Sequence, residues 1–151
     1  MVPGEYAEML RAIGDALDSE QAVRVSIGND ERAVNVSWHS SSGQLERRRY
    51  SQGDLAAMTK RARDQRNAPV DREKRRHFLH AAASTAGESR GELLRTLGQN
   101  LDKEGLVLEG ILEAATGYRV LGSYDGQPVE RVYTITELVA TSRERRLLRR
   151  V

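Results

Sequence analysis

The chain has 151 residues, of which 38% are hydrophobic and 30% charged, as in water-soluble globular domains, and it has no cysteine, which excludes disulfides and thiolate chemistry. No apolar run is long enough to span a bilayer and the N-terminus carries no basic-then-apolar signal, so we expect a cytoplasmic protein without a membrane partner. The formal net charge is only +2, so any strongly basic surface must come from an uneven distribution of charge along the chain.

The first half of the chain begins with one predicted helix and two predicted strands. Residues 5–18 place apolar side chains at helical spacing: Met9, Leu10, Ile13, Ala16 and Leu17. The hydrophobic period then changes to two, and the alternating residues that we expect on the buried face are Val23, Val25, Ile27, Val34, Val36 and Trp38. Residues 29–31 form a short turn between the two strands, which predicts an antiparallel hairpin.

A third strand and a second helix complete this half. Residues 45–50 are predicted to form the strand, and its run of arginines from Arg47 to Arg49 favours a position at the sheet edge, where charge discourages association between sheets. Ser51 and Asp54 resemble a capping box, which begins a helix that runs to about Arg66.

The segment that follows has no counterpart elsewhere in the chain. Residues 67–69 read Asn-Ala-Pro and break the helical pattern, and residues 70–86 are predicted to form a connecting helix that ends at Gly87. The first part of this helix is basic and the second part is small and apolar. We therefore expect it to fill a seam between the two halves of the chain.

The second half repeats the order of elements. Ser89 and Glu92 form a capping box for its first helix, and residues 106–112 begin its strands. A hairpin turn at residues 125–126, Asp-Gly, precedes a strand at residues 128–134. Another capping box then opens a final helix with an arginine-rich end.

This repetition indicates an internal duplication, because residues 89–150 match residues 6–66 at about 17 of roughly 60 positions with one single-residue gap. Each copy reads helix, three antiparallel strands, helix (αβββα), with both helices on one face of the sheet. The sequence therefore predicts an α+β fold of two tandem αβββα repeats, each with its own antiparallel three-stranded sheet, joined by a connecting helix. The predicted boundaries are residues 1–66 for repeat 1, 67–88 for the linker and 89–151 for repeat 2.

An αβββα unit of this size resembles the double-stranded-RNA-binding domain. Members of that family contact RNA from the first helix, from the loop between strands two and three, and from basic residues at the start of the second helix. The corresponding loops here, residues 40–43 and 124–126, and the corresponding helix starts, residues 51–54 and 134–137, lack the family's contact motifs. The resemblance implies the order of elements and no RNA-binding residue. The same order also occurs in secretion-chaperone-like folds that bind proteins.

The first strand of repeat 2 is apolar on both faces. We place Val107 and Ile111 on the buried face, together with their counterparts in repeat 1. The opposite face then carries the predicted interface residues Leu106, Leu108, Leu112 and, across the hairpin where repeat 1 has Ser37, Leu121. A strand that is apolar on both sides is covered on both sides, so we expect this face to pack on the connecting helix, on repeat 1 or on another subunit.

Positive charge is concentrated in two regions: residues 46–80 sum to +6 and residues 143–151 to +4, whereas residues 1–45 and 81–142 each sum to −4. Phosphate contacts need Arg or Lys arrayed along a surface, so these regions supply the candidate nucleic-acid-binding residues. They are Arg47, Arg48, Arg49, Lys60, Arg61, Arg63, Arg66, Arg72, Lys74, Arg75, Arg76, Arg143, Arg145, Arg146, Arg149 and Arg150. The alternative explanation is structural, because basic residues near a helix C-terminus complement the helix dipole.

Patterns typical of catalysis or metal binding are weak. His77 and His80 stand three residues apart in the predicted connecting helix without a third ligand, and His39 beside a run of serines is not a triad. Asp18 recurs as Asp102 where each first helix ends, which favours a turn or capping role. We therefore expect no enzyme, metal or cofactor, but a binding module whose partner is another protein or a second copy of the chain, with RNA or DNA as the alternative.

Overall fold

The computed structural model describes residues 1–30, 32–67 and 89–149, and for residues 66, 67 and 145–149 it describes the backbone alone. In chain order its elements are α1 (Tyr6–Ser19), β1 (Val23–Asn29), β2 (Ala33–His39), β3 (Leu45–Ser51), α2 (Gln52–Asn67), α3 (Arg90–Glu104), β4 (Val107–Ala114), β5 (Gly117–Tyr124), β6 (Gln127–Thr134) and α4 (Ile135–Arg149). The fold class is α+β, as the sequence predicts. The predicted connecting helix lies outside the described residues.

The six strands form one antiparallel sheet in the order β3-β2-β1-β4-β5-β6. The prediction of a separate three-stranded sheet in each repeat is wrong, because β1 and β4 pair with each other and join the two halves. An edge strand presents unpaired N–H and C=O groups, and this pairing satisfies them on both repeats at once. The arginine-rich strand β3 does lie at one edge of the sheet, as predicted, and β6 lies at the other.

The central strand pair is arranged around a local two-fold axis. Ile27 lies opposite Ile111, its own counterpart in the alignment of the two halves. The pairs on either side are Ser26 with Leu112 and Gly28 with Gly110. Each half therefore presents the same positions to the other. In an isologous dimer interface both subunits contribute the same surface, so each contact is repeated with the roles of the two subunits exchanged. The two repeats form an interface of this kind within one chain.

The helix layer follows the same symmetry. α1 and α3 pack against each other in antiparallel orientation, with α2 against α1 and α4 against α3. At Gly14 of α1, an added Cβ would lie 2.7 Å from the Cα of Gly91, and at Gly98 of α3 it would lie 2.7 Å from the Cα of Ala7. Because Gly14 and Gly98 are equivalent positions, one close helix contact is used twice.

The two central helices also cap each other. Asp18, near the end of α1, accepts a hydrogen bond of 3.3 Å from the Gly91 N–H at the start of α3. Asp102, near the end of α3, accepts bonds of 3.1 Å from the N–H groups of Tyr6 and Ala7 at the start of α1. A carboxylate there satisfies N–H groups that a helix start leaves unpaired and complements the positive end of the helix dipole. The predicted capping role of this repeated acid is confirmed, across the repeats rather than within one.

Replacing Asp102 by alanine should destabilise the fold by about 1–2 kcal/mol, because two helix N–H groups lose a charged acceptor. The free energy of unfolding, obtained from urea titration, measures this loss. Asp64→Ala removes an exposed carboxylate from α2 and is the matched control, with an expected change of less than about 0.5 kcal/mol. Equal losses in the two variants would contradict a cap between the repeats.

Local sequence signals are confirmed at several element ends. Asp125 and Gly126 both have positive φ, 49° and 75°, as a tight hairpin turn requires. Ser51 and Asp54 exchange hydrogen bonds between side chain and backbone at 3.1 and 2.9 Å, which makes a complete capping box at the start of α2. Ser89 accepts the N–H of the third residue after it at 3.2 Å and so begins α3. These signals are local, which is why the sequence alone reveals them.

Candidate protein-binding face

The register of the sheet assigns each strand residue to one of two faces, because residues opposite each other in an antiparallel ladder point to the same side. The face that carries Ile27, Val36 and Val120 forms the core together with apolar residues from all four described helices. We call the opposite side the outer face. Among the described residues no helix packs on the outer face, so the described part of the chain covers the sheet on one side only.

An irregularity in β4 decides which of the predicted interface leucines reach the outer face. The register shifts between Leu108 and Gly110, so Leu108 shares the inner face with Ile111. Leu106 and Leu108 are only 2% and 1% exposed and belong to the core. The prediction that these two residues lie on the opposite face is therefore wrong. An equivalent shift in β1 leaves Val23 exposed where the simple alternation predicts it buried.

Four apolar side chains of repeat 2 form what we call the apolar patch on the outer face. Leu112 and Leu121 lie there, 42% and 36% exposed, and Val107 and Val132 join them at 43% and 65%. The prediction that Val107 lies on the buried face is wrong, and Val132 was not among the predicted interface residues. The alternation along β6, in which Tyr133 points inward beside Tyr118, is the signal that places Val132 outward.

One ion pair crosses the apolar patch. Arg119, between Leu112 and Val132 in the ladder, donates to both carboxylate oxygens of Glu130, at 2.6 Å from Nε and 3.1 Å from Nη2. These hydrogen bonds lower the pKa of Glu130 and raise the pKa of Arg119. Both groups are charged at neutral pH, and the patch as a whole has no net charge.

The repeat 1 half of the outer face is mixed, with the exposed side chains of Val23 and Leu45 at one end and polar side chains beyond them. Ser37 stands where repeat 2 has Leu121, and Asn35 lies beside it on β2. Arg47 and Arg49 of the edge strand lie opposite Ser37 and Asn35. No Phe, Tyr or Trp occurs at any outer-face position of the described sheet. On the described sheet, the repeat 2 half of the outer face is therefore the more apolar and the repeat 1 half the more basic, although both halves carry exposed apolar side chains.

The predicted basic residues are divided between the two sides of the sheet. Arg48 lies on the helix side, unlike its neighbours Arg47 and Arg49. Its guanidinium carbon is 5.4 Å from the centre of the Trp38 ring, and it pairs with Glu20 at 3.6 Å. Part of the arginine run thus has a structural role at the end of the core.

The basic residues of the helices lie farther apart still. Lys60, Arg61 and Arg63 are exposed on α2 and Arg143 is exposed on α4, and these two helices occupy opposite ends of the helix layer. The remaining candidates lie outside the described side chains: Arg66, Arg72, Lys74, Arg75, Arg76, Arg145, Arg146, Arg149 and Arg150. The basic side chains that the structure describes do not form one continuous surface.

A second charged cluster lies on the helix side, at the start of α3. Arg90 donates to both carboxylate oxygens of Glu113, at 2.8 and 3.0 Å, to Asp18 at 3.2 Å and to the Ala22 carbonyl oxygen at 2.7 Å. Burial raises the pKa of Asp18, although the Gly91 N–H and the positive charge of Arg90 act to lower it. The cluster joins α1, α3 and β4, and Arg90 forms each of these contacts with a residue of its own chain.

Comparison with protein-family models, with curated proteins and with solved structures finds no match to this chain. Within residues 1–30, 32–67 and 89–149 no three His, Cys, Asp or Glu side chains are grouped so that they could hold a metal ion. His77 and His80 lie outside these ranges. None of the helices in the same ranges combines the length and the apolar character that crossing a membrane requires.

Proposed function

We propose that this protein is a non-enzymatic module that binds protein through the outer face of its sheet, and that its two repeats derive from one αβββα unit. The apolar patch carries this proposal. Exposed apolar side chains grouped on one surface of a protein are typical of interaction surfaces. Here they stand on paired strands of a six-stranded sheet, so the surface is fixed before a partner arrives and binding does not require ordering of a loop.

Two observations favour protein over nucleic acid as the partner. The described basic side chains are distributed over both sides of the sheet and both ends of the helix layer, whereas phosphate binding needs them along one path. The outer face of the described sheet carries no Phe, Tyr or Trp side chain on which bases could stack. The resemblance to the double-stranded-RNA-binding domain therefore supports a shared order of elements and no shared ligand.

A photoreactive amino acid placed at Leu121 tests the proposal in cells that express the protein. We expect irradiation to give discrete protein adducts from position 121 and from position 132, because both side chains point out of the apolar patch. The same amino acid at Lys60, which is exposed on α2, is the control and should give none.

Two results would overturn protein binding. One is the absence of any adduct from positions 121 and 132 in a folded variant. The other is an adduct that nuclease removes, combined with an affinity of the purified protein for RNA or DNA that falls steeply as salt is raised. That second result would assign the protein to the nucleic-acid-binding alternative.

A further inference from the structure

We propose that the free edge of β3 binds an extended, acidic segment of another protein, which adds to the sheet as a further strand. This edge lies at the far end of the sheet from the apolar patch, so it is a second protein contact that does not depend on the proposed function. β3 pairs with β2 over its whole length, from Leu45 to Ser51, without a shift of register. A regular strand with one unpaired side can accept another strand along that side.

The hydrogen bonds around β3 show which of its residues face the free edge. At the hairpin, the Ser40 N–H donates to the Gln44 carbonyl oxygen at 2.8 Å. At the other end of the strand, the Ser51 N–H donates at 2.9 Å to the side chain of the capping box of α2 and not to β2. Because the direction of these bonds alternates along an antiparallel strand, the N–H and C=O groups of Arg47 and Arg49 point away from β2. An added strand would form its backbone hydrogen bonds with these two arginines.

The side chains of the same two arginines determine the charge of the partner. Arg47 and Arg49 are exposed on the outer face, and among the described residues neither forms a salt bridge or a side-chain hydrogen bond, although Asp30 attracts Arg49 from farther away. Residues directly opposite each other on neighbouring strands are close enough for ionic contact. A partner with Glu or Asp at every second position would therefore place one carboxylate opposite each arginine.

The basic edge is a property of repeat 1 and not of the αβββα unit. At the equivalent positions of the β6 edge, Glu130 stands where β3 has Arg47, and Val132 stands where β3 has Arg49. β6 also contains Pro128, which has no N–H to donate to an added strand. Of the two sheet edges that the structure describes, the β3 edge alone combines outward arginines with a strand free of proline.

Two other occupants fit this edge less well. The β3 edge of a second copy carries the same arginines and is repelled by like charge. A nucleic acid needs its phosphate contacts along one path, but Arg48, between Arg47 and Arg49, lies on the helix side over the ring of Trp38. The alternating side chains of an extended peptide match this arrangement, because they also alternate between the two faces of the sheet.

The test measures binding of the purified full chain to a short fluorescent peptide in which Glu alternates with Thr. We expect Arg47→Glu combined with Arg49→Glu to raise the dissociation constant at least about tenfold, because two attractive pairs become repulsive. Lys60→Glu combined with Arg63→Glu is the matched control: it changes the charge equally at exposed positions of α2, away from the edge, and should raise the dissociation constant less than about threefold. Leu121→Glu, in the apolar patch, should leave it unchanged.

Two altered peptides separate strand addition from simple charge attraction. A peptide with Lys in place of Glu should bind the Arg47→Glu, Arg49→Glu variant more tightly than the wild type. A peptide with Pro in place of Thr keeps the carboxylates but cannot form a strand, and it should not bind the wild type. Thermal unfolding checks that each protein variant is folded.

Several results would overturn strand addition at β3. They are no binding of the Glu-Thr peptide to the wild type, equal weakening by the edge variant and by the α2 control, and equal affinity for the proline-containing peptide. A single-stranded oligonucleotide that binds more tightly than the peptide and is released by the same edge substitutions would assign the edge to nucleic acid. The photoreactive residues at positions 121 and 132 report on the apolar patch alone, so each proposal can fail without the other.

Discussion

Replacing Gly14 by valine should lower the free energy of unfolding by about 3 kcal/mol, because the helix crossing leaves no room for a side chain. An added Cβ would lie 2.7 Å from the Cα of Gly91, 2.8 Å from its nitrogen and 2.9 Å from the Arg90 carbonyl oxygen. These are backbone atoms, which cannot rotate away, so α1 and α3 would have to separate. That movement would also stretch the two caps between the repeats. Urea titration of the variant measures the loss.

The control for this experiment is Gly53→Val. Gly53 lies in the first turn of α2, and an added Cβ there would meet only the Ser51 hydroxyl, at 3.8 Å. This variant should be within about 0.5 kcal/mol of the wild type. Gly98→Val, which repeats the change at the other crossing against Ala7, should be destabilised as strongly as Gly14→Val. If Gly14→Val matched Gly53→Val in stability, the close packing of the two central helices would be wrong.

The parts of this fold that local patterns determine could be predicted from the sequence. Alternation alone places Val34, Val36 and Trp38 in the core, and all three are buried. Caps and turns depend on a few neighbouring residues, so their signals were also readable. The order of helices and strands follows from these elements.

The features that could not be predicted depend on residues far apart in the chain. Nothing local to Ile27 or Ile111 shows that these two residues meet and convert two three-stranded sheets into one. The irregularity beside Leu108 reverses which leucines face outward, and a hydrophobicity pattern does not contain the register of a partner strand. Two of the four predicted interface residues, Leu106 and Leu108, were therefore assigned to the wrong face.

One long-range signal was present in the alignment of the two halves. Gly14 and Gly98 are matched glycines in the middle of helices, where glycine costs about 1 kcal/mol relative to alanine. A residue that is unfavourable locally and yet occurs in both copies indicates a close approach of another backbone. Arg90 and Tyr6 occupy the same position in the alignment of the two halves, but these unlike residues gave no indication of a long-range contact. Tyr6 satisfies the Leu108 N–H with its hydroxyl at 2.9 Å, whereas Arg90 forms an ion cluster.

Replacing Arg90 by alanine should lower the free energy of unfolding by about 3 kcal/mol. Arg90 and Glu113 are only 15% and 17% exposed, and the variant would leave Glu113 without its two hydrogen bonds and close to the carboxylate of Asp18. Breaking a buried pair by removing one partner costs much more than breaking an exposed one. Arg90→Lys keeps the charge but loses the two-pronged contact, so it should fall between the wild type and Arg90→Ala.

The matched control is Arg131→Ala. It breaks the 3.7 Å pair between Arg131 and Glu104, whose side chains are 50% and 45% exposed, and should cost no more than about 0.5 kcal/mol. Comparable losses in Arg90→Ala and Arg131→Ala would show that the Arg90 cluster contributes no more than a surface ion pair.

The loss of unfolding free energy in Arg90→Ala should also depend on pH. Burial already raises the pKa of Asp18 above its ordinary 3.8, and removing Arg90 takes away a charge that lowers it, so the pKa of Asp18 should rise further. A carboxyl whose pKa is higher in the folded than in the unfolded state contributes stability below the unfolded pKa and loses that contribution as pH rises through the folded pKa. The stability gap between wild type and variant should therefore narrow as pH falls from neutral towards 3.8. Carboxyl NMR titration and urea titrations across this range measure both effects, and a gap that stays constant or widens would contradict a direct contact between Arg90 and Asp18.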